Sequence, residues 1–204
     1  RQICKFAFAF SSIEKFTIPP HLTKICDSAF SYCKQLQKVE FPADSELETI
    51  EKSAFFYTSI ECITIPSNLV VLEEEWNRGL AKVTSIDVSK KNPSFLSYEN
   101  KFILGKSSIE SKNFDVLLFA VRNIKIASIP SFIKCISSYA FNICQQLQKV
   151  HILSDSKLER IGHSAFCGST IEYFTVPYQV KKIEEYAFAY CKKLRNVEIP
   201  KNSE

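Results

Sequence analysis

The sequence predicts an α/β repeat solenoid of about eight coils, and three observations lead to it. The word Ile-x-x-x-Ala-Phe recurs along the chain, clearest at Ile25-Ala29-Phe30 and Ile183-Ala187-Phe188. Its copies lie 22 or 25 residues apart, a fixed low-twenties period of the kind that stacks supersecondary units into an array. Each copy also closes on a short alternating segment such as Val39-Glu40-Phe41, followed by Pro42.

Aligned on the first residue of the word, the copies start at Ile3, Ile25, Ile50, Leu72, Phe114, Ile136, Ile161 and Ile183. Short and long forms alternate. In the short form, at Ala7-Phe8, Ala54-Phe55 and Ala165-Phe166, apolar residues follow the Phe at five, eight and ten positions. Pro comes at eleven, as in Ile60, Ile63, Ile65 and Pro66. The long form, at Ala29-Phe30, Ala140-Phe141 and Ala187-Phe188, has Cys three after the Phe and its apolar set one residue later, ending on Pro200 in the last copy. The fourth copy is degenerate. Trp76-Asn77 holds the Ala-Phe place, with Leu80, Val83, Ile86 and Val88 in long-form register. In the fifth, Leu118-Phe119 occupies the place formally, with Ile124, Ala127, Ile129 and Pro130 in short-form register. Between them the step is 42 residues, a long repeat plus 17 more, which places an insertion at about 90–113.

Each element has a physical reading. Val-x-Ile alternation marks a half-buried strand, and Pro, lacking an N–H, suits its end. A chain that returns to the same strand place once per coil stacks its strands in parallel, about 4.8 Å apart. Ile25 and Ala29 have helical spacing, which predicts a short helical turn on the opposite, convex side. The small Ala permits close approach between coils, and the Phe fills the interior. A narrow strand side and a wider helical side make the sheet concave.

The pattern Ile-x-x-x-Ala-Phe-x-x-Cys-x-x-Leu-x-x-Val-x-Ile-Pro resembles the BspA-type leucine-rich repeat over residues 3–200, in six clear copies. The interruption is similar to that family too. Asn92-Pro93-Ser94-Phe95 leads through Asn100-Lys101, where the family has Asp-Gly, to Phe102-Ile103-Leu104 and Leu117-Leu118-Phe119. The resemblance implies a hairpin there and a strand at 117–119, at odds with the formal Ala-Phe assignment. It also implies display on a bacterial or protist surface and attachment to host matrix proteins, cells or other microbes.

Composition narrows the function. With 26 basic and 22 acidic residues the net charge is +4, too balanced to indicate nucleic acid or a membrane surface. No run approaches the ~18 apolar residues of a membrane span. The whole of 1–204 reads as one solenoid domain. Absence of methionine, even at position 1, and a start inside a repeat point to a piece of a longer protein, with any signal peptide or anchor outside it. Eight cysteines and the three histidines His21, His151 and His163 show no zinc spacing, no nucleophile–base arrangement and no phosphate loop. Neither a metal, a cofactor nor an enzymatic activity is expected. Cys33, Cys144 and Cys191 read as buried free thiols, while Cys4 and Cys26, equivalent in neighbouring coils, are the best disulfide pair.

Binding is the remaining function. The strand residues flanking each buried position form the candidate face: Lys15 and Thr17, Lys38 and Glu40, Cys62 and Thr64, Ser85 and Asp87. Ile126 and Ser128, Lys149 and His151, Tyr173 and Thr175, and Asn196 and Glu198 continue it. Three lysines against three acids make it nearly neutral, unlike a basic nucleic-acid groove. It suits a protein or glycan, and the insertion is the rival site. With the surface display that the resemblance implies, the expected protein is a non-enzymatic adhesion module at the cell surface or secreted. The alternative is a cytoplasmic scaffold, in which free thiols are at home.

Overall fold

Two strand places recur in each coil, one on the Ile of the repeat word and one on the Val-x-Ile segment. The computed structural model describes residues 1–108 and 110–199; Ile109 of the insertion and Pro200 of the last repeat lie outside them. The chain forms two compact units, Arg1–Ile103 and one beginning at Leu104. The first holds β1 (Gln2–Ile3), β2 (Lys15–Thr17), β3 (Lys24–Ile25), β4 (Lys38–Glu40), β5 (Thr49–Ile50), β6 (Cys62–Ile65), β7 (Val71–Leu72), β8 (Ser85–Val88) and β9 (Leu96–Tyr98). The chain passes between units along β10 (Phe102–Gly105). The second holds β11 (Val116–Ala120), β12 (Ile126–Ile129), β13 (Cys135–Ile136), β14 (Lys149–Ile152), β15 (Arg160–Ile161), β16 (Tyr173–Thr175), β17 (Lys182–Ile183) and β18 (Asn196–Glu198).

In the first unit β1, β3, β5 and β7 form a parallel ladder, with Ile3 opposite Ile25, Ile25 opposite Ile50 and Ile50 opposite Leu72. In the second unit β11, β13, β15 and β17 repeat it, with Leu117 opposite Ile136, then Ile161, then Ile183. Each unit is thus a parallel β-solenoid. The fifth coil starts on Leu117, not Phe114, so 117–119 is strand and not a displaced Ala-Phe word. Because β10 lies beside β11 in the ladder, the described residues make about nine turns against the eight expected.

The helical turns are not there: among the described residues no helix occurs. Their place is taken by turns with a left-handed residue three and seven positions after the Ile. These are Phe6 and Phe10, Ser28 and Tyr32, Ser53 and Tyr57, Glu75 and Gly79, Tyr139 and Ile143, Ser164 and Gly168, Tyr186 and Tyr190. A positive φ every fourth residue interrupts the right-handed run an α-helix requires. The hydrogen bonds agree. Ala29 N–H bonds to Cys26 O and Cys33 N–H to Phe30 O, closing four-residue turns with positive φ at the third position, the type II signature. The intervening Phe30 and Tyr32 N–H groups bond to Ala54 O and Phe56 O in the next coil. The spacing that puts Ile25 and Ala29 on one side therefore arises from two consecutive turns, tied coil to coil.

The Phe of each word builds the core. Phe8, Phe30 and Phe55 stack at 5.1 and 5.4 Å between centroids in the first unit. Phe141, Phe166 and Phe188 stack at 4.8 and 5.3 Å in the second. The strand residues Phe16 and Phe174 close against these stacks with tilted rings. The Cys of the long form is structural as well. Cys33 Sγ donates to Phe8 O at 2.9 Å and Cys191 Sγ to Phe166 O at 3.1 Å, and each also meets a serine hydroxyl, Ser11 or Ser169. All eight cysteines, Cys4 and Cys26 included, are free thiols here.

The insertion is a hairpin of β9 and β10, which are sheet neighbours. Its turn is centred on Glu99-Asn100, not Asn100-Lys101: both have positive φ and Lys101 N–H bonds to Tyr98 O at 3.0 Å, the two-residue geometry that matches strand twist. Buried Asn92 anchors the entry. Its Nδ2 donates to Pro66 O and Leu69 O at 2.7 and 2.8 Å, and its Oδ1 accepts from Ser94 and Phe95 N–H, both at 2.8 Å. Buried Asp115 anchors the exit, accepting from the N–H and hydroxyl of Ser107, with Lys134 Nζ at 3.3 Å. In the fifth coil Arg122, 4% exposed, lies over the Phe119 ring and donates to Ala140 O at 2.8 Å. Burial pushes its pKa down.

Candidate functional site

All of the strand residues expected to form the binding face lie on the second strand place of their coils. Parallel pairing sets Lys15 opposite Lys38 and Thr17 opposite Glu40, on β2 and β4. Cys62 and Thr64 on β6 oppose Ser85 and Asp87 on β8. Ile126 and Ser128 on β12 oppose Lys149 and His151 on β14; Tyr173 and Thr175 on β16 oppose Asn196 and Glu198 on β18. Side chains alternate across a strand, so members of each pair share one face. Of these sixteen residues, Glu40, Cys62 and Thr64 are half-buried; the others are exposed.

The face is not one continuous sheet within either unit. Lys15 to Lys38, Cys62 to Ser85, Ile126 to Lys149 and Tyr173 to Asn196 are each 23 residues apart, and each pair of strands is laddered. Lys38 to Cys62 and Lys149 to Tyr173 are 24 residues apart, and there β4 and β6, like β14 and β16, belong to separate two-stranded sheets. These strands remain neighbours, with Glu61 N–H bonded to Gln37 O and Glu172 N–H to Gln148 O just before them, and the break in the ladder leaves a seam. In the first unit the seam opens onto a small apolar cavity lined by Val39, Ile63, Phe55 and Trp76. In the second it forms two open depressions. One is lined by Ile126, Lys149, Glu172, Tyr173 and Thr175, and the other by His151, Thr175, Tyr178 and Gln179.

Electrostatics separates the two units. On the first, Glu40 accepts from Lys15 and Lys38 at 2.7 and 2.8 Å, so both lysines of that face are paired. Those two ammonium groups hold its carboxyl down to about 2. A depressed carboxyl pKa adds stability that is present above the unfolded value of 4.5 and is lost as pH falls toward about 2. Titration of the Glu40 carboxyl by NMR is expected to give a midpoint near 2, moving up toward 4.5 in Lys15→Gln/Lys38→Gln; an unchanged midpoint would contradict the pairing. On the second unit, Lys149 has no ion pair among the described residues. His151 and the 57%-exposed Tyr173 are likewise unengaged. Gln179 Oε1 is buried there with no hydrogen-bond partner among the described residues. Tyr178 and Gln179 were not among the expected face residues. They follow Pro177 at the strand end, where period-two counting stops.

Nothing at either seam gathers reactive groups: among the described residues no set of three or more His, Cys, Asp or Glu could hold a metal. No helix among them is long and apolar enough to cross a membrane.

The BspA type leucine rich repeat region, in six copies, matches residues 1–117 and 112–204. The chain belongs to that family. No curated protein matches the sequence significantly. Among solved structures, the pneumococcal vaccine antigen PcpA is 25% identical with a TM-score of 0.82, over 97% of this chain and 53% of its own. This BspA-type chain thus spans about half the length of that protein. A leucine rich cell surface protein of Faecalibacterium prausnitzii is 23% identical with a TM-score of 0.65, covering 92% of this chain and 60% of its own. A leucine-rich repeat protein of Eubacterium ventriosum is 17% identical with a TM-score of 0.66 and the same coverage. These last two share the BspA-type chain's fold.

Proposed function

We propose that this BspA-type array is a non-enzymatic binding module of a surface protein. It attaches to a host or matrix protein or glycan through the strand face of its second unit. The observation that carries the reading is the β14/β16 seam. There Lys149, His151 and Tyr173 stand exposed and unengaged around a depression, while both lysines of the first unit's face, Lys15 and Lys38, are paired with Glu40. Such a preformed surface limits the ordering cost of binding. Surface placement draws on the description of the Faecalibacterium relative as a cell surface protein. The test is binding to immobilised matrix proteins and a glycan panel, comparing the native chain with Lys149→Ala/His151→Ala/Tyr173→Ala/Thr175→Ala. Loss of at least 10-fold in affinity with an unchanged circular dichroism spectrum is expected. Retained binding would shift the site to the 90–113 insertion or elsewhere.

A second reading, an intracellular scaffold, is favoured by the eight free thiols, which suit a reducing compartment. Alkylation mapping of this chain's eight cysteines in the protein isolated from its native source decides: all eight alkylated after unfolding without reductant support the scaffold, and fewer support the surface.

A further inference from the structure

The left-handed position seven residues after the Ile makes a second, independent ladder along the turn edge. In the first unit it is filled by rings: Phe10 and Tyr32 stack at 4.8 Å and 4°, and Tyr32 and Tyr57 at 5.4 Å and 16°. In the second unit the same three successive places are Ile143, Gly168 and Tyr190. Their backbones are joined coil to coil, Ile143 N–H to Cys167 O and Gly168 N–H to Ala189 O, both at 2.9 Å. Ile143 and Tyr190 therefore stand two coil steps, about 10 Å, apart, with no side chain between them. The result is a slot floored by Gly168 and Ser169, walled by Ile143 and the 74%-exposed Tyr190 ring, and rimmed by Gln145, Thr170 and Lys192. It shares no residue with the strand-face depressions.

The other glycine of this ladder shows that a missing side chain need not leave a gap. A Cβ built on Gly79 would lie 2.7 Å from the Phe56 ring, which covers that place, with the Arg78 guanidinium over the ring at 4.8 Å from its centroid. A Cβ on Gly168 would meet nothing nearer than Ile143 at 3.8 Å, and Asn142, Cys167 and Ala189 take the place of Phe56 in the surrounding coils. The slot is open, and it is one ring thick by the chain's own measure.

We propose that this slot receives a tyrosine side chain from a partner protein. The occupant is argued from the first unit, where Tyr32 fills the homologous place between Phe10 and Tyr57. An inserted ring would lie between Tyr190 and Ile143, an aromatic and an aliphatic wall. Its hydroxyl would reach the mouth, where the Lys192 ammonium and Gln145 amide donate. Thr170 is committed, its hydroxyl donating to Leu147 O at 3.0 Å. A tyrosine anchor of this kind is a common binding hot spot.

The chain itself offers the blocking variant. Phe10, Tyr32, Tyr57, Ile143 and Tyr190 all adopt positive φ of 54–63° at this place, so Gly168→Tyr, at φ +72, puts a ring where the chain already holds rings, at the cost of left-handed strain. The experiment titrates p-cresol, the tyrosine side chain alone, into the ¹⁵N-labelled full chain. Saturable shifts are expected at the amides of Gln145, residue 168, Ser169 and Thr170. Gly168→Tyr is expected to abolish them, and Tyr190→Ala, an exposed change that leaves the core intact, to weaken binding at least 10-fold. The strand-face quadruple variant is expected to bind p-cresol unchanged, so failure of the strand-face reading is distinguishable from failure here. Three results would overturn the proposal: no shift at these amides, equal shifts from methyl β-glucoside, or undiminished binding by either slot variant.

Discussion

Replacing Phe30 with Ala is expected to destabilise the first unit by about 3–5 kcal/mol, the range for truncating a fully buried aromatic. The ring is 0% exposed and lies within 5.4 Å, centroid to centroid, of three others: Phe8, Phe55 and the strand residue Phe16. It bridges the coil before and the coil after, so truncation opens a cavity that neither coil can fill alone. Close-packed neighbours held by inter-coil hydrogen bonds on both sides relax only partly. Trp76 is the chain's one tryptophan, sits in the same unit and is 4% exposed, so its fluorescence in urea reports the loss directly. A urea slope of about 1–3 kcal/mol/M turns the loss into a midpoint shift of at least about 1 M. Phe30→Leu, which retains most of the volume, is expected to cost less than half as much. Phe141→Ala should match Phe30→Ala in the second unit, followed by circular dichroism. A loss under about 1 kcal/mol at either would contradict the stacking.

The same residues show how far the sequence could be read. Ile, Ala and Phe of the repeat word are all buried in the inner copies at Ile25, Ile50, Ile136 and Ile161, because burial demands apolar chemistry, and apolar chemistry recurs visibly. What the word does to the backbone was hidden. Ile25 and Ala29, four apart, satisfy a helix and also satisfy two linked turns, and side-chain periodicity cannot separate the two. The deciding residues are the left-handed ones, and Phe10, Tyr32, Glu75 and Ile143 are not turn formers. Only Gly79 and Gly168 carried a local signal. Tertiary hydrogen bonds from coil to coil hold the rest in place against their intrinsic preference. The binding face was legible as a set of residues, since alternation fixes which side chains share a side. Its seams were not legible, because step length alone does not decide pairing: the ladder of the repeat word stays paired across steps of both 22 and 25 residues. Arg122 was passed over because a charged residue in a degenerate coil reads as surface, whereas its guanidinium bonds the carbonyl of Ala140.

Asn92→Ala is the second large loss expected, about 3–5 kcal/mol in the first unit, and its origin is polar. The amide makes four hydrogen bonds of 2.7–2.8 Å while 8% exposed. Ala would remove all four and leave the carbonyls of Pro66 and Leu69 and the N–H groups of Ser94 and Phe95 without this partner, at about 1–3 kcal/mol for each one that stays buried. Water entering the space would offset part of that, which keeps the total below a simple addition. Asn92→Asp separates hydrogen bonding from volume. The carboxylate fits the same space and can still accept from Ser94 and Phe95, but it turns an oxygen toward two carbonyl oxygens that need donors. At neutral pH Asp is therefore expected to be as damaging as Ala, despite its shape. Its cost should fall as pH drops below the carboxyl's pKa, because the protonated acid can donate to one of the two carbonyls. Urea midpoints followed by Trp76 at pH 7 and pH 4, each relative to the native chain at that pH, measure this. An Asp variant as stable as Asn at neutral pH would show that the entry to the hairpin is held by packing around Phe95 instead of by the Asn92 amide.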